Sequence, residues 1–240
     1  MSALLELAQV ETHIGRYHIL HGVDLAVKEG RTSMLLGRNG AGKTTTLRTI
    51  MGLWHASGGE IRLSGTRIDA LTTPAIANAG IGYVPETMAV FSDLSVKENF
   101  ILAARHGPID TSRLEWIFSF FPALKKFWLS RAGTLSGGQK QMLSIGRAII
   151  EQRKLLLVDE PTKGLAPAIV DALIECLAEI KRKGTTILLV EQNFRVAQKL
   201  GDDVFVMDDG RIVYSDAMEA LVNDTKLQQR LLGLSLDMHQ

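Results

Sequence analysis

The sequence predicts an α/β domain, a parallel sheet with helices packed on its faces, and three observations predict it. Unbroken apolar runs at 32–36, 81–84, 155–158, 186–190 and 204–207 are bounded by turn residues, the pattern of strands buried on both faces. Helical patterns stand among them, at 43–51, 171–183 and 194–200. The first run leads straight into a glycine-rich turn and then a helix, a strand–turn–helix unit.

The remaining elements follow in order. Ahead of the core, 5–10 and 23–27 alternate apolar and polar residues with period two and read as half-exposed antiparallel strands. A second strand pair is expected at 61–63 and 67–68, around the turn Ser64-Gly65. Between about 91 and 133 the strand signals disappear. There Leu114, Ile117, Phe118 and Phe121 recur at helical spacing until Pro122 stops the run, so the stretch reads as a helical subdomain inserted into the core. A helix is expected from about 140 to 150, a short hairpin strand at 210–214 and one terminal helix over 217–232. Residues 1–240 thus read as a single domain carrying an insert.

Composition excludes several classes. Lys plus Arg total 27 against 26 for Asp plus Glu, so no net basic field draws the chain to nucleic acid or lipid. One cysteine, Cys176, rules out an internal disulfide framework and fits a reducing compartment; its helical setting predicts a buried thiol. The apolar runs are far too short to cross a bilayer, and Met1-Ser2-Ala3-Leu4-Leu5-Glu6 lacks the charged start of a secretory signal. A cytoplasmic protein is expected, with any membrane part supplied by another chain.

Two motifs carry chemistry on physical grounds. Gly37-Arg38-Asn39-Gly40-Ala41-Gly42-Lys43-Thr44, followed by Thr45, fits G-x-x-x-x-G-K-[ST] between a strand and a helix. Its glycines let successive N–H groups curl around a phosphate, and the helix aims its positive end there. Lys43 would reach the β- and γ-phosphates and the Thr44 hydroxyl would bind Mg²⁺. The second motif is a buried strand that ends in two acids, Asp159 and Glu160. Adjacent side chains on a strand point differently, so Asp159 can hold the metal while Glu160 orients or deprotonates the attacking water. A third feature, Leu135-Ser136-Gly137-Gly138-Gln139, opens a helix and offers N–H donors to a second anion, which a neighbouring chain could hold.

Together, these three motifs resemble the Walker A, signature and Walker B motifs of ABC ATPases, in an order and spacing that cover nearly the whole chain. The resemblance implies a P-loop NTPase (RecA-like) core with an antiparallel β subdomain and an inserted α-helical subdomain. It implies hydrolysis of ATP with Mg²⁺ between two cassettes packed head to tail, one chain's 37–44 loop facing the partner's 136–138. Val84-Pro85-Glu86, Gly164-Leu165-Ala166-Pro167 and Val190-Glu191-Gln192-Asn193 are similar to the branched-chain (hydrophobic) amino-acid importer group. That group implies two transmembrane permease subunits, a solute-binding protein acting indirectly, and a place on the cytoplasmic face of the inner membrane.

The chain departs from the general ABC pattern at four places. Glu86 stands where a glutamine usually contacts Mg²⁺ and the attacking water, and Gln192 where a histidine usually touches the γ-phosphate. Ala166 replaces an aspartate. Ile14 falls near the place of an aromatic ring that stacks on adenine, with His13 and Tyr17 as nearby alternatives. These departures point to a heterodimer with a second, different cassette. In the family the helical insert helps form the groove for a membrane-subunit helix, so some of the rings at Trp116, Phe118, Phe120, Phe121, Phe127 and Trp128 are expected there, Phe120 among them. Alternative readings are a soluble ABC-type ATPase acting on DNA or ribosomes, a nucleotide-gated module with little hydrolysis, and an exporter cassette. The first lacks the coiled coils, paired cassettes or basic arms it would need; Lys43 and Glu160 weigh against the second.

Overall fold

The computed structural model describes residues 3–105 and 107–233; Met1 and Ser2, His106 and residues 234–240 lie outside them. The chain opens with a long hairpin, β1 (Ala3–Ile14) and β2 (Tyr17–Lys28), whose strands outrun the alternating segments that announce them. Then come β3 (Thr32–Leu36), α1 (Lys43–Ile50), β4 (Ala56–Leu63) and β5 (Thr66–Arg67). A short helix that the sequence reading did not anticipate, α2 (Thr73–Asn78), starts at the Thr72-Thr73-Pro74 turn and precedes β6 (Ile81–Val84).

The 91–133 stretch is helical: α3 (Val96–Ala103), α4 (Thr111–Phe120), α5 (Pro122–Lys126) and a 3₁₀ turn at Ala132–Thr134. Ser95 and Glu98 cap α3 reciprocally, Asp110 caps α4, and Pro122 starts α5 where α4 stops. The rest alternates: α6 (Gly137–Ile149), β7 (Leu155–Asp159), α7 (Pro167–Arg182), β8 (Thr186–Val190), α8 (Phe194–Leu200), β9 (Asp203–Asp208), β10 (Arg211–Ala217), α9 (Met218–Asn223) and α10 (Thr225–Leu232). The single terminal helix expected at 217–232 is therefore two. Asp224 breaks it by turning its carboxylate to accept from the Leu227 N–H at 2.9 Å, an N-cap that competes with helix continuation.

Two sheets result. One is antiparallel, in the order β2-β1-β4-β5; the other runs β10-β9-β3-β8-β7-β6, parallel except for the β9–β10 hairpin at its edge. Alternation along the parallel strands divides the core between the faces. Met34, Leu36, Leu156, Val158, Ile187 and Leu189 pack with the inserted helices and with α6, α7 and α8. Leu35, Leu155, Leu157, Leu188 and Val190 pack with α1 and the antiparallel sheet. Both faces of the parallel sheet are covered, which explains why its strands read as unbroken apolar runs. Among the described residues no helix is long and apolar enough to cross a membrane. Cys176 lies fully buried in α7, and burial pushes its thiol up to about 12, the inert state expected of it.

Candidate functional site

In an open α/β sheet ligands bind beyond the carboxyl ends of the strands. Here four parallel strands deliver their following residues to that edge: β3 leads to Gly37, β6 to Glu86, β7 to Asp159 and Glu160, and β8 to Glu191 and Gln192. Segments separated by more than a hundred residues meet there because β8 lies between β3 and β7.

The glycine turn is shaped by its neighbours. Gly37 has φ +144°, and a Cβ there would stand 2.2 Å from the Met207 carbonyl oxygen, so no other residue fits. Gly42 caps α1 at φ +109°, a conformation that favours glycine, and a Cβ there would lie 3.1 Å from Leu20 and 3.3 Å from Met207. Gly40 and Ala41 complete the turn and Thr45 lies in the first turn of α1; Ala41 N–H donates to Arg38 O at 3.2 Å and Gly210 N–H to Ala41 O at 2.9 Å. Lys43 is buried. Its ammonium donates back to the carbonyls of Gly37 at 2.8 Å and Arg38 at 3.0 Å. Burial lowers its pKa, and the Glu160 and Asp159 carboxylates oppose that shift. A buried cation folded back over a glycine turn at the start of a helix suits a polyphosphate.

Thr44 donates from its hydroxyl to Asp159 Oδ1 at 3.1 Å. The other oxygen, Asp159 Oδ2, is buried without a hydrogen-bond partner, and burial raises the acid to about 6 against the opposing Thr44 bond. A hydroxyl beside an orphaned buried carboxylate oxygen is a donor set that fits a hard divalent cation.

Glu160 takes the left-handed region at φ +45°, unusual for a side-chain-bearing residue, and its N–H is tied to Val190 O at 2.9 Å. That turn sends its carboxylate away from Asp159 and into a polar cluster. Gln192 Nε2 donates to Glu160 Oε1 at 2.6 Å and to Asn39 Oδ1 at 2.7 Å, so the glutamine links the turn to the acid. Lys43 Nζ lies 3.9 Å from the same Glu160 oxygen. Glu86 is drawn aside: its carboxylate accepts from Lys163 Nζ at 2.7 Å, and that ammonium also lies 3.5 Å from Glu160 Oε2.

Two groups of sequence-selected residues stand apart from this cluster. Ser136 caps α6, which begins at Gly137 rather than near 140. Ser136 and Gln139 bond reciprocally, at 2.9 Å from the Ser136 N–H and 3.4 Å to its hydroxyl. Gly138 packs closely on α7, where a Cβ would stand 2.2 Å from Ile169 Cδ1 and require that side chain to shift. These bonds close on the cap itself, leaving the exposed Gly137 facing open space. Ile14 ends β1 opposite Tyr17; the neighbouring His13 ring stacks on His18 with centroids 4.1 Å apart, and Tyr17 is 60% exposed beside Arg16.

The rings of the helical insert pack against one another and against side chains of this chain. A cleft of about 280 Å³ lies between the 82–89 segment, α3 and α6, with Leu102, Tyr83, Pro85, Met88 and Arg147 among its walls. None of the six insert rings lines it. Phe121 is fully buried, and Trp128 packs against Phe100 and Phe118 at 5.6 and 5.4 Å. Phe120 packs edge-on to Trp116 at 5.4 Å, and Arg113 and Lys183 cover Trp116. The surplus apolar surface of α4 is thus satisfied by rings and cation stems of this chain.

Sequence reasoning assigned no role to Glu191, Thr162 or Lys163. Glu191 is buried and fully engaged: Oε1 accepts from the Thr162 hydroxyl at 2.7 Å, and Oε2 from the N–H groups of Gln192 and Asn193, both at 3.1 Å. Burial raises its pKa while these bonds lower it. It fixes the Gln192 backbone to the turn after Glu160. The signal was present, since Glu191 ends a buried strand as Asp159 ends β7.

Similarity agrees with this geometry. The sequence profile of the ABC transporter family matches residues 20–163. The high-affinity branched-chain amino acid transport ATP-binding protein BraG of Pseudomonas aeruginosa is 40% identical over 96% of this chain and all of its own length. The probable branched-chain amino acid transport ATP-binding protein LivF of Archaeoglobus fulgidus is 31% identical over 96% of this chain and 99% of its own. A solved ATP-binding subunit of an ABC transporter superposes with a TM-score of 0.81 at 30% identity, over 98% of this chain and 96% of that one. This chain is an ATP-binding cassette ATPase and belongs to the ABC transporter family.

Proposed function

We propose that this cassette powers an importer of branched-chain or related hydrophobic amino acids, hydrolysing ATP at the carboxyl edge of its parallel sheet. The cargo reading rests on the likeness to BraG and LivF over nearly the full chain. The hydrolytic reading is carried by one observation: the Glu160 carboxylate, turned by a left-handed backbone, is bonded to Gln192 and lies 3.9 Å from Lys43.

In this reading the β- and γ-phosphates lie in the 37–45 turn, with Arg38, Asn39, Gly40, Ala41, Gly42, Thr44 and Thr45 as its lining. Lys43 exchanges the Gly37 and Arg38 carbonyls for phosphate oxygens. Thr44 and Asp159 hold Mg²⁺, whose bound charge offsets that of the phosphates, and Glu86 stands at the edge of that site. Glu160 accepts hydrogen bonds from the attacking water and aligns it, and Gln192 donates to a γ-phosphate oxygen. Phosphoryl transfer needs little more than such positioning and charge neutralisation. Ile14 and Tyr17 border the adenine.

Ser136, Gly137, Gly138 and Gln139 serve nucleotide held by a second cassette, and a different chain is the better partner because Gln192, Ala166 and Ile14 depart together from the usual pattern. The cleft beside Tyr83, Pro85 and Leu102 receives a helix of a permease subunit, at the cytoplasmic face of the inner membrane. The test is uptake. A strain carrying only the Glu160→Gln chain should lose uptake of labelled leucine, isoleucine and valine. The tagged variant, purified from its membranes with Mg-ATP, should bring two multi-span subunits and a second cassette. Normal branched-chain uptake would overturn the cargo, and recovery with ribosomes or DNA would overturn the transport reading.

A further inference from the structure

Lys163 has no part in the mechanism above, yet its ammonium joins Glu86 to Glu160, at 2.7 and 3.5 Å. The side chain is 59% exposed. An ion pair that open to water contributes little to stability, so holding a long lysine there needs another reason. The reason is local charge. Asp159, Glu160 and Glu86 gather at neighbouring strand ends, a cluster of three carboxylates. Lys43 compensates on one side but is committed to the glycine turn. Lys163 compensates on the other. Its backbone N–H reaches the Glu160 carbonyl at 3.3 Å, which keeps the lysine on the same turn as the acid.

We propose that Lys163 is a positioning residue that holds Glu86 away from the metal site until a divalent cation arrives with nucleotide. This rests on the nucleotide reading above. The ammonium and the cation offset the same negative charge, so each weakens the other. Glu86 can turn towards Thr44 and Asp159 only by leaving Lys163. The bridge therefore sets how strongly metal is held with nucleotide, and it acts through Glu86.

The test is Mn²⁺ titration of the purified chain with ADP present, read by electron paramagnetic resonance. Lys163→Met should tighten Mn²⁺ binding about threefold to tenfold, the size of one screened charge interaction. Lys163→Arg should stay near wild type, because it preserves the bridge. In a Glu86→Gln background, Lys163→Met should change affinity by less than twofold. Equal Mn²⁺ affinity in wild type and Lys163→Met overturns the proposal, as does an undiminished effect in the Glu86→Gln background. ADP affinity is measured first: a wild-type chain that binds no ADP sinks the nucleotide reading itself, whereas normal ADP binding with unmoved Mn²⁺ affinity sinks only the bridge.

Discussion

Asp159 shows what a reactive carboxylate costs the fold. In the unfolded chain an aspartate ionises near pH 4. Burial keeps this one protonated to about 6. Between those values the native state binds more protons than the unfolded state, so this group's contribution to stability falls as pH rises across that window. Above it the burial penalty is fully present. Asp159→Asn should therefore raise the melting temperature at pH 7.5 by about 2–6 °C, corresponding to about 1–2 kcal/mol. The gain should vanish near pH 4; a variant that melts no higher at pH 7.5 would mean that Thr44 and its surroundings already offset the charge.

Glu160 and Gln192 are joined by a hydrogen bond and are tested together. Removing a positioned base lowers turnover by about 10²- to 10⁴-fold, so Glu160→Gln should lose phosphate release in that range and keep ATP binding. Gln192→His should leave ATP affinity within about twofold, because the side chain donates to Asn39 and Glu160 here. Its turnover should acquire a pH dependence near the imidazole range of about 6.5, which the glutamine cannot give. A loss of ATP binding would count against placing Gln192 at the γ-phosphate.

At the scale of elements, the inserted helices depend on a close crossing. Gly146 lies inside α6, where an alanine would ordinarily favour the helix by about 1 kcal/mol. A Cβ there would stand 2.8 Å from Phe100 Cζ and 3.3 Å from Ile117 Cγ2, and both side chains are fully buried. Neither can swing into solvent. Overpacking should dominate, and Gly146→Ala should destabilise by about 1–3 kcal/mol in urea unfolding. Adding Phe100→Leu should recover part of the loss, and a stabilised single variant would contradict the crossing.

The elements also show where the sequence was legible. Strands β3, β6 and β8 stand where apolar runs ended at turn residues, and β7 differs only by including Asp159, because burial on both faces leaves an unmistakable pattern. The glycine turn was equally clear, its residues being dictated by backbone geometry. The break at Asp224 was not, since an aspartate in a polar helical stretch looks alike whether it caps or faces solvent. Lys163 was hidden for a related reason, because its partner Glu86 lies 77 positions away in sequence.

For the whole molecule, the decisive feature is that the Ser136 cap is complete yet turned on itself, with Gly137 open. A helix start of this kind has N–H donors available to an anion, but the glycine turn that holds Lys43 has its own helix, α1. In the head-to-tail pairing proposed above, the two are halves of different sites. If the partner is a different chain, purified Glu160→Gln protein should sediment as a monomer with Mg-ATP at micromolar concentration. Mixed with the second cassette and Mg-ATP, it should form a one-to-one dimer, and ADP should not support that association. Gly137→Asp, which places a negative charge where the partner's phosphates would arrive, should abolish the dimer while leaving ATP binding by the isolated chain within about twofold, since the substitution lies off the 37–45 turn. Self-association of the Glu160→Gln chain in Mg-ATP would replace the heterodimer with a homodimer. Dimerisation untouched by Gly137→Asp would remove the α6 start from the shared site.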